Sequence, residues 1–322
     1  MERLLHDPPS ASAVARLSGR SRIFVVGTGT SFHGALVGQY LLRSAGVDAW
    51  AIPAFDFASY PPGIKGDDGL VLLSHRGSKR FSQEALRGFG NAEQWLAITG
   101  EDSPLQGLGV IHTVPQERSP VHTASHTGAM LRLAQLAVAL GSPPWKAELA
   151  RVPDALRMTL GLRAAVVQAL DRLRLERVVH FVGGGPAYAT ALEGALKLRE
   201  AAYVSTEGHD VEGILHGPLI SLSPEDSVVI VAQPGPALRR TSEVAAALNE
   251  IGTATLAVGP SAARLAATVT LETPAVDERL APMVNVVPLQ WMALEVSRRV
   301  GVDADSFRKV GRYAAAQSKF IL

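Results

Sequence analysis

A pattern of glycines recurs in this chain at a nearly constant distance, and no other feature limits its fold as much. Gly27-x-Gly29 followed by Ala35-Leu-x-Gly38 returns 156 positions later as Gly183-x-Gly185 followed by Ala191-Leu-x-Gly194. The run Leu70-Val-Leu-Leu-Ser-His-Arg-Gly77 returns 158 positions later as Val228-Val-Ile-Val-Ala-Gln-Pro-Gly235. Two near-equal offsets in the same order predict a duplicated domain, because chance rarely preserves both order and spacing. Within each copy an apolar run stops at glycines and a helical pattern follows at once, the signature of a buried parallel strand turning into a helix. The fold class expected is therefore α/β, with two duplicated domains, residues 1–150 and 151–322, each a parallel sheet flanked by helices. Ligands should bind at the C-terminal ends of the strands.

Strands are expected over residues 22–26, 68–73, 94–99, 110–114 and 177–182, and helices over 32–44, 81–88 and 122–140, with linking helices in 145–173. Residues 1–20 read as a short helix and lead-in, with Pro8-Pro9 preventing a helix before them. Basic residues exceed acidic ones by one, 31 against 30, so net charge makes no case for nucleic acid or an acidic membrane surface. No cysteine is present, which excludes disulfides, thiolate metal sites and a cysteine nucleophile. The start lacks an apolar core long enough for a signal peptide, and later apolar stretches are interrupted by charge, as Arg132 does after Met130. A soluble cytoplasmic protein is expected.

Neither glycine turn suits a dinucleotide, since Phe32 and Tyr188 stand where G-x-G-x-x-G needs its third glycine. The segment Ser74-His-Arg-Gly-Ser-Lys-Arg80 joins a strand to a helix, and the Ser74 and Ser78 hydroxyls, the Arg76 and Lys79 charges and the helix amides suit an anion. A basic surface turn explains the same pattern. Glu117, Ser119, His122, Thr123, Ser125, His126 and Thr127 cluster at the start of a long helix. His122 and His126 have the i, i+4 spacing of zinc ligands, with Glu117 as a third, but no supporting outer pattern accompanies them, and a pocket wall is the expected role. Glu193, Lys197 and Glu200, at i, i+4 and i+7, lie along one side of a helix, where a solvated salt-bridged face is the plain alternative to a reactive one.

ALEGALKLRE (residues 191–200), then LHGPL (residues 215–219), resemble the sugar isomerase (SIS) family and, within it, the isomerase half of glucosamine-6-phosphate synthase. Val287-Pro-Leu-Gln290, Gly29-Thr30-Ser31 and Ser74-x-x-Gly77 extend the resemblance over nearly the whole chain from about residue 20. The resemblance implies that Gly29, Thr30, Ser31, Ser74, His75, Arg76, Ser78, Lys79 and Thr123 surround a phosphorylated sugar. It implies that Glu200 moves a proton between C1 and C2, that Lys197 assists it, and that His216 opens the ring, donated across a homodimer interface. A carboxylate and an imidazole are the groups such proton transfers require. Where the family loop runs close to Ser-Gln-Ser-Gly-Glu-Thr, His75, Arg76, Ser78 and Lys79 make it more positive, which also admits a more highly charged or carboxylated sugar.

In the tail the family has Pro-Arg-x-x-x-Lys, with an imine-forming lysine, and this chain has Arg308 followed by Arg312. Arginine stays protonated and cannot form an imine, but it can steady an oxyanion, while Lys309 and Lys319 are out of register. Without a cysteine or a glutaminase-like segment in this sequence, this chain alone is not expected to release ammonia from glutamine. The reading expected is a phosphosugar isomerase or amino-sugar-phosphate deaminase that needs no cofactor and no metal. A catalytically silent sugar-phosphate sensor and an isomerase aminating from free ammonia are the alternatives.

Overall fold

An apolar run without a polar face must be covered on both sides, and Ile23–Gly27 (β1) is such a run, buried at every position. The computed structural model describes residues 1–308 and 311–320. They divide into two units, one comprising Met1–Leu149 with the tail from Ser306, the other Ala150–Asp305.

In the first unit α1 (Glu2–Leu5) and α2 (Ala11–Ala15) precede β1. After it come α3 (Thr30–Ser44), β2 (Ala49–Pro53), α4 (Ala54–Ser59), β3 (Gly69–Leu73), α5 (Arg80–Phe89), β4 (Trp95–Thr99), β5 (Val110–His112) and α6 (Ala124–Leu140). The second unit opens with α7 (Val152–Leu160) and α8 (Arg163–Leu170), then runs through β6 (Val179–Gly183), α9 (Pro186–Ala202), β7 (Thr206–Asp210), α10 (Pro218–Ser221), β8 (Ser227–Val231), α11 (Leu238–Ile251), β9 (Ala254–Val258), β10 (Val269–Leu271) and α12 (Ala281–Arg299). In the tail lies α13 (Gly311–Gln317).

Each unit holds a five-stranded parallel sheet, ordered β2-β1-β3-β4-β5 in the first and β10-β9-β8-β6-β7 in the second. Counting strands along each unit, both sheets read 2-1-3-4-5 from one edge. In such a sheet the connections leave strands 1 and 3 in opposite directions, opening a crevice at their C-terminal ends. The glycine turns sit there. Gly29 and Gly185, which precede α3 and α9, have φ of 55° and 59°, a left-handed conformation natural to glycine. A Cβ on Gly27 would lie 2.5 Å from the Ser31 carbonyl carbon, and one on Gly183 would lie 2.2 Å from the Ala187 carbonyl oxygen. Each helix therefore starts hard against its strand, and the glycine spacing records that approach.

Alternation along the strands builds two cores in the second unit. Val179, Phe181, Val229 and Val231 pack with Ala191, Ala195 and Leu198 of α9 and with Leu289, Met292 and Val296 of α12. Val182, Val228 and Ile230 pack on the opposite face with Val244, Ala245 and Leu248 of α11. In the first unit Phe24, Val26, Leu70 and Leu72 meet Phe57 of α4 and Ala85 and Phe89 of α5.

The expected elements are present within a few residues of their bounds, but α1 corrects the reading of the N-terminus. Proline restricts chiefly the residue before it, so a single turn ending at Leu5 is compatible with Pro8. Its open carbonyls are satisfied from α6: Gln135 donates to the Leu4 and Leu5 oxygens and Arg132 to the Leu4 oxygen, and the Arg132 guanidinium also donates to the Asp7 carboxylate at 2.8 Å. Edge strands β2 and β7, each with one buried residue of five, were outside the expected set: β2 is apolar but short and ends in Pro53, and β7 is polar throughout. Among the described residues no helix is long and apolar enough to cross a membrane.

Candidate functional site

In the first unit the crevice between β1 and β3 is a cleft lined by Thr30, Ser31 and Gly34 of α3, Leu73, Ser74 and His75 at the end of β3, and His122, Ser125 and His126 around the start of α6. Thr30, Ser31, Ser74 and His75 thus line one cleft, and Gly29 turns the chain into α3. No side chain caps α3, so its first turn opens on the cleft with the electropositive end that favours anions. Arg76 and Ser78 are exposed and outside the lining, and Lys79 is the residue before α5. His75 Nε2 accepts from the Glu117 amide at 3.4 Å, which leaves Nδ1 as the proton-bearing nitrogen, buried and with no protein partner. Burial, with the Arg76 charge adding to it, pushes the His75 imidazole below the ordinary histidine range against the opposing pull of Glu117. It is a neutral donor beside the cleft.

The α6 terminus, by contrast, is filled by its own carboxylate. Glu117 accepts from the Thr123 amide at 2.9 Å, the Thr123 hydroxyl at 3.1 Å, the Ala124 amide at 3.3 Å and the Ser125 amide at 2.7 Å. Thr123 is thus engaged with Glu117, and its place in a pocket wall depends on that carboxylate. Burial would raise the Glu117 carboxyl, but hydrogen bonds from Ser125 and Thr123 outweigh it and hold the group below its usual range. Glu117→Gln should cost about 1.5–3 kcal/mol at neutral pH, the range for hydrogen bonds to a charged group. The folded carboxyl lies below its unfolded value. The wild-type advantage is therefore complete above the ordinary glutamate range and disappears as pH falls through the depressed value. Urea unfolding of both proteins across that range measures it.

In the second unit the row on α9 is assembled, and it is not a solvated face. Lys197 Nζ lies 2.6 Å from Glu200 Oε2 and 3.4 Å from Glu193 Oε1, with side-chain exposures of 1% for Lys197, 0% for Glu193 and 25% for Glu200. Burial alone would lower the Lys197 ammonium, and Glu193 and Glu200 more than reverse this, holding it above the ordinary lysine range. Three charges carried into an interior are costly, so such rows cluster where chemistry needs them. Thr190, one turn earlier on the same stripe, keeps a buried hydroxyl with no protein partner, and so does the Gln290 side-chain amide on α12, the helix packed against α9. Thr190 was missed in the sequence, although its place three residues before Glu193 puts it on the same line.

His216 sits apart from this row at the end of a 3₁₀ turn, Gly213–Leu215, with its side chain 71% exposed. Its Nε2 is 2.7 Å from Glu212 Oε1, and Arg240 holds the same carboxylate at 2.7 and 2.9 Å. Arg240 first and His216 second hold the Glu212 carboxyl down to about 2. Arg312, on α13, and Lys319 are exposed; Lys309 lies outside the described residues. His122 and His126 both line the cleft, and the carboxylate and imidazoles that come together are Glu117 with His75 and His122 in place of His126, the ring centroids of His75 and His122 being 5.2 Å apart.

Residues 173–297 match the model of the SIS domain, a span running from before β6 almost to the end of α12. The chain carries a SIS domain. That span holds the α9 row and His216 and reaches the Val287-Pro-Leu-Gln290 segment. The glutamine–fructose-6-phosphate aminotransferase (isomerizing) of Methanothermobacter thermautotrophicus is 29% identical over 97% of this chain and 56% of its own length. The chain spans about half the length of the curated relatives it matches. Among solved structures, the C-terminal domain of glucosamine-fructose-6-phosphate aminotransferase from Francisella tularensis superposes with a TM-score of 0.79 at 20% identity, covering 95% of this chain and 97% of that one. Glucosamine-6-phosphate deaminase from Thermotoga maritima gives 0.74 at 17% identity, covering 96% and 98%. At these identities the structural likeness speaks for the fold alone, which this chain shares with both over nearly its whole length.

Proposed function

We propose that this SIS protein binds a phosphorylated sugar and moves a proton between C1 and C2 of its open chain, as an aldose–ketose isomerase or, on an amino sugar phosphate, with loss of ammonia. The observation that carries the reading is the buried row on α9, in which Glu200 alone presents a part-exposed carboxylate while Lys197 and Glu193 are enclosed behind it. A carboxylate so placed can take the C2 proton of an aldose. The electron pair then passes into a C1–C2 double bond, O1 is protonated, the O2 proton is released, and return of the carbon-bound proton to C1 gives the ketose.

The open start of α3, with Thr30, Ser31, Ser74 and His75, is assigned to the phosphate, and Arg76, Ser78 and Lys79 to the positive field that guides it. His216 is assigned to ring opening in a homodimer, for which its exposure on a surface turn makes it accessible to a second chain, with Glu212 orienting its ring. Arg312 would steady the developing oxyanion. Equal strand order and equal glycine turns support reading the two units as copies of one domain.

Incubating the full chain with a panel of hexose and hexosamine phosphates in D₂O, while following the C2 proton by NMR, tests the proposal. Exchange at C2 of one sugar is the expected result, and release of ammonia from a hexosamine phosphate would assign deamination. If no sugar exchanges while one raises the melting temperature, the isomerase reading falls, and a sugar-phosphate sensor acting through a partner takes its place.

A further inference from the structure

On the edge of the second sheet, away from the α9 row, two imidazoles and a carboxylate converge. His180 lies on β6, and Glu207 and His209 lie on the neighbouring β7. The pairing of His180 with Glu207 and of Val182 with His209 puts all three on one face, the face of the α11 core. His180 Nδ1 and His209 Nε2 are 3.0 Å apart, and Glu207 Oε2 is 3.8 Å from the first and 3.5 Å from the second. A hydrogen bond between the two rings accounts for the first distance. It does not account for the carboxylate oxygen, which stands beyond hydrogen-bond length from both nitrogens yet nearly equidistant from them.

A tetrahedral ion accounts for all three. With bonds of about 2.0–2.1 Å, adjacent ligand atoms of a four-coordinate zinc lie about 3.3–3.5 Å apart, and the three observed separations bracket that edge. Shifts of half an ångström or less would complete it. We infer that His180, Glu207 and His209 form a site for one late first-row divalent metal ion, of the zinc or cobalt kind, with its remaining position open to water.

Two neutral imidazoles and one carboxylate suit such ions and do not suit magnesium or calcium, which prefer oxygen ligands alone. Burial pushes both imidazoles below the ordinary histidine range, so they offer lone pairs at neutral pH. The exposures are graded in the right direction, 7% for the His180 side chain, 12% for His209 and 57% for Glu207, giving an enclosed floor and a wet entrance. A metal here would clamp the edge strand β7 to β6 just before the turn that carries His216. The comparable group in the first unit is less suited, because Glu117 already spends its oxygens on the α6 amides.

The full chain, stripped with a chelator and dialysed, is titrated with zinc by calorimetry and with cobalt by visible absorption. One ion per chain is expected, with the absorption of four-coordinate cobalt. Glu207→Gln and His209→Ala should each weaken binding at least about tenfold, and His122→Ala should leave it unchanged. Glu207 is an exposed edge residue, so its variant reports on ligation even if His209→Ala fails to fold. Absence of stoichiometric binding, binding that survives Glu207→Gln, or binding abolished by His122→Ala overturns the assignment.

Discussion

Lys197→Met should lower the stability of the second unit by about 3–5 kcal/mol, the loss expected when one partner of a buried ion pair is removed. Methionine fills the volume of the lysine stem and leaves the Glu193 carboxylate fully enclosed beside an apolar side chain. Glu200, one quarter exposed, can turn to water, and Glu193 cannot. The prediction therefore separates the two acids. Adding Glu193→Gln to Lys197→Met should restore most of the loss, because the buried charge goes with its partner. Urea unfolding of the wild type, both single variants and the double variant closes the cycle. Additive losses would show that Glu193 and Lys197 do not act as a pair.

Glu200→Gln should reduce C2 exchange by about 10²–10⁴-fold, the contribution typical of a positioned general base, with little change in substrate affinity. Glutamine keeps the shape and can still accept from Lys197, so the unfolding midpoint should hold while the rate falls. A rate that survives the substitution would place the base elsewhere. The same variant tests the shared site. Mixed and reassembled with His216→Asn, it should regain a sizeable part of the activity if His216 acts in the partner's site, since one site of each mixed dimer then has both groups intact. No recovery would confine His216 to its own chain.

Much of this was legible in the chain. Gly27 and Gly183 carry their meaning locally, because only glycine lets a helix carbonyl pass within 2.5 Å or so of where a side chain would start. The apolar runs of β1, β3, β6 and β8 are fully buried, as unpatterned runs must be, and their spacing predicted the helices between them. The membership of Glu193, Lys197 and Glu200 in one row followed from helical spacing alone. Its burial did not. Spacing puts three side chains on one line but leaves open whether that line faces water or the interior, and only the packing around α9 decides it.

Arg132 shows the same limit from the other side. In the sequence it interrupts an apolar stretch like any surface charge, whereas in the fold it is buried and paired to Asp7 at the opposite end of the unit. Glu117 looked like a pocket residue or a ligand, and it is the cap of α6, because a carboxylate six residues upstream can fold back onto four donors. His180 and His209 carried no signal at all, being 29 residues apart on strands whose pairing no local pattern specifies. What depends on neighbours along the chain, such as turns, strand and helix type, the repeat and the rows on helices, was present in the order of residues. What depends on neighbours across space, namely which charges are enclosed and which polar groups meet, was decided only when the sheets and helices packed, since burial and pairing belong to contacts that sequence distance does not record.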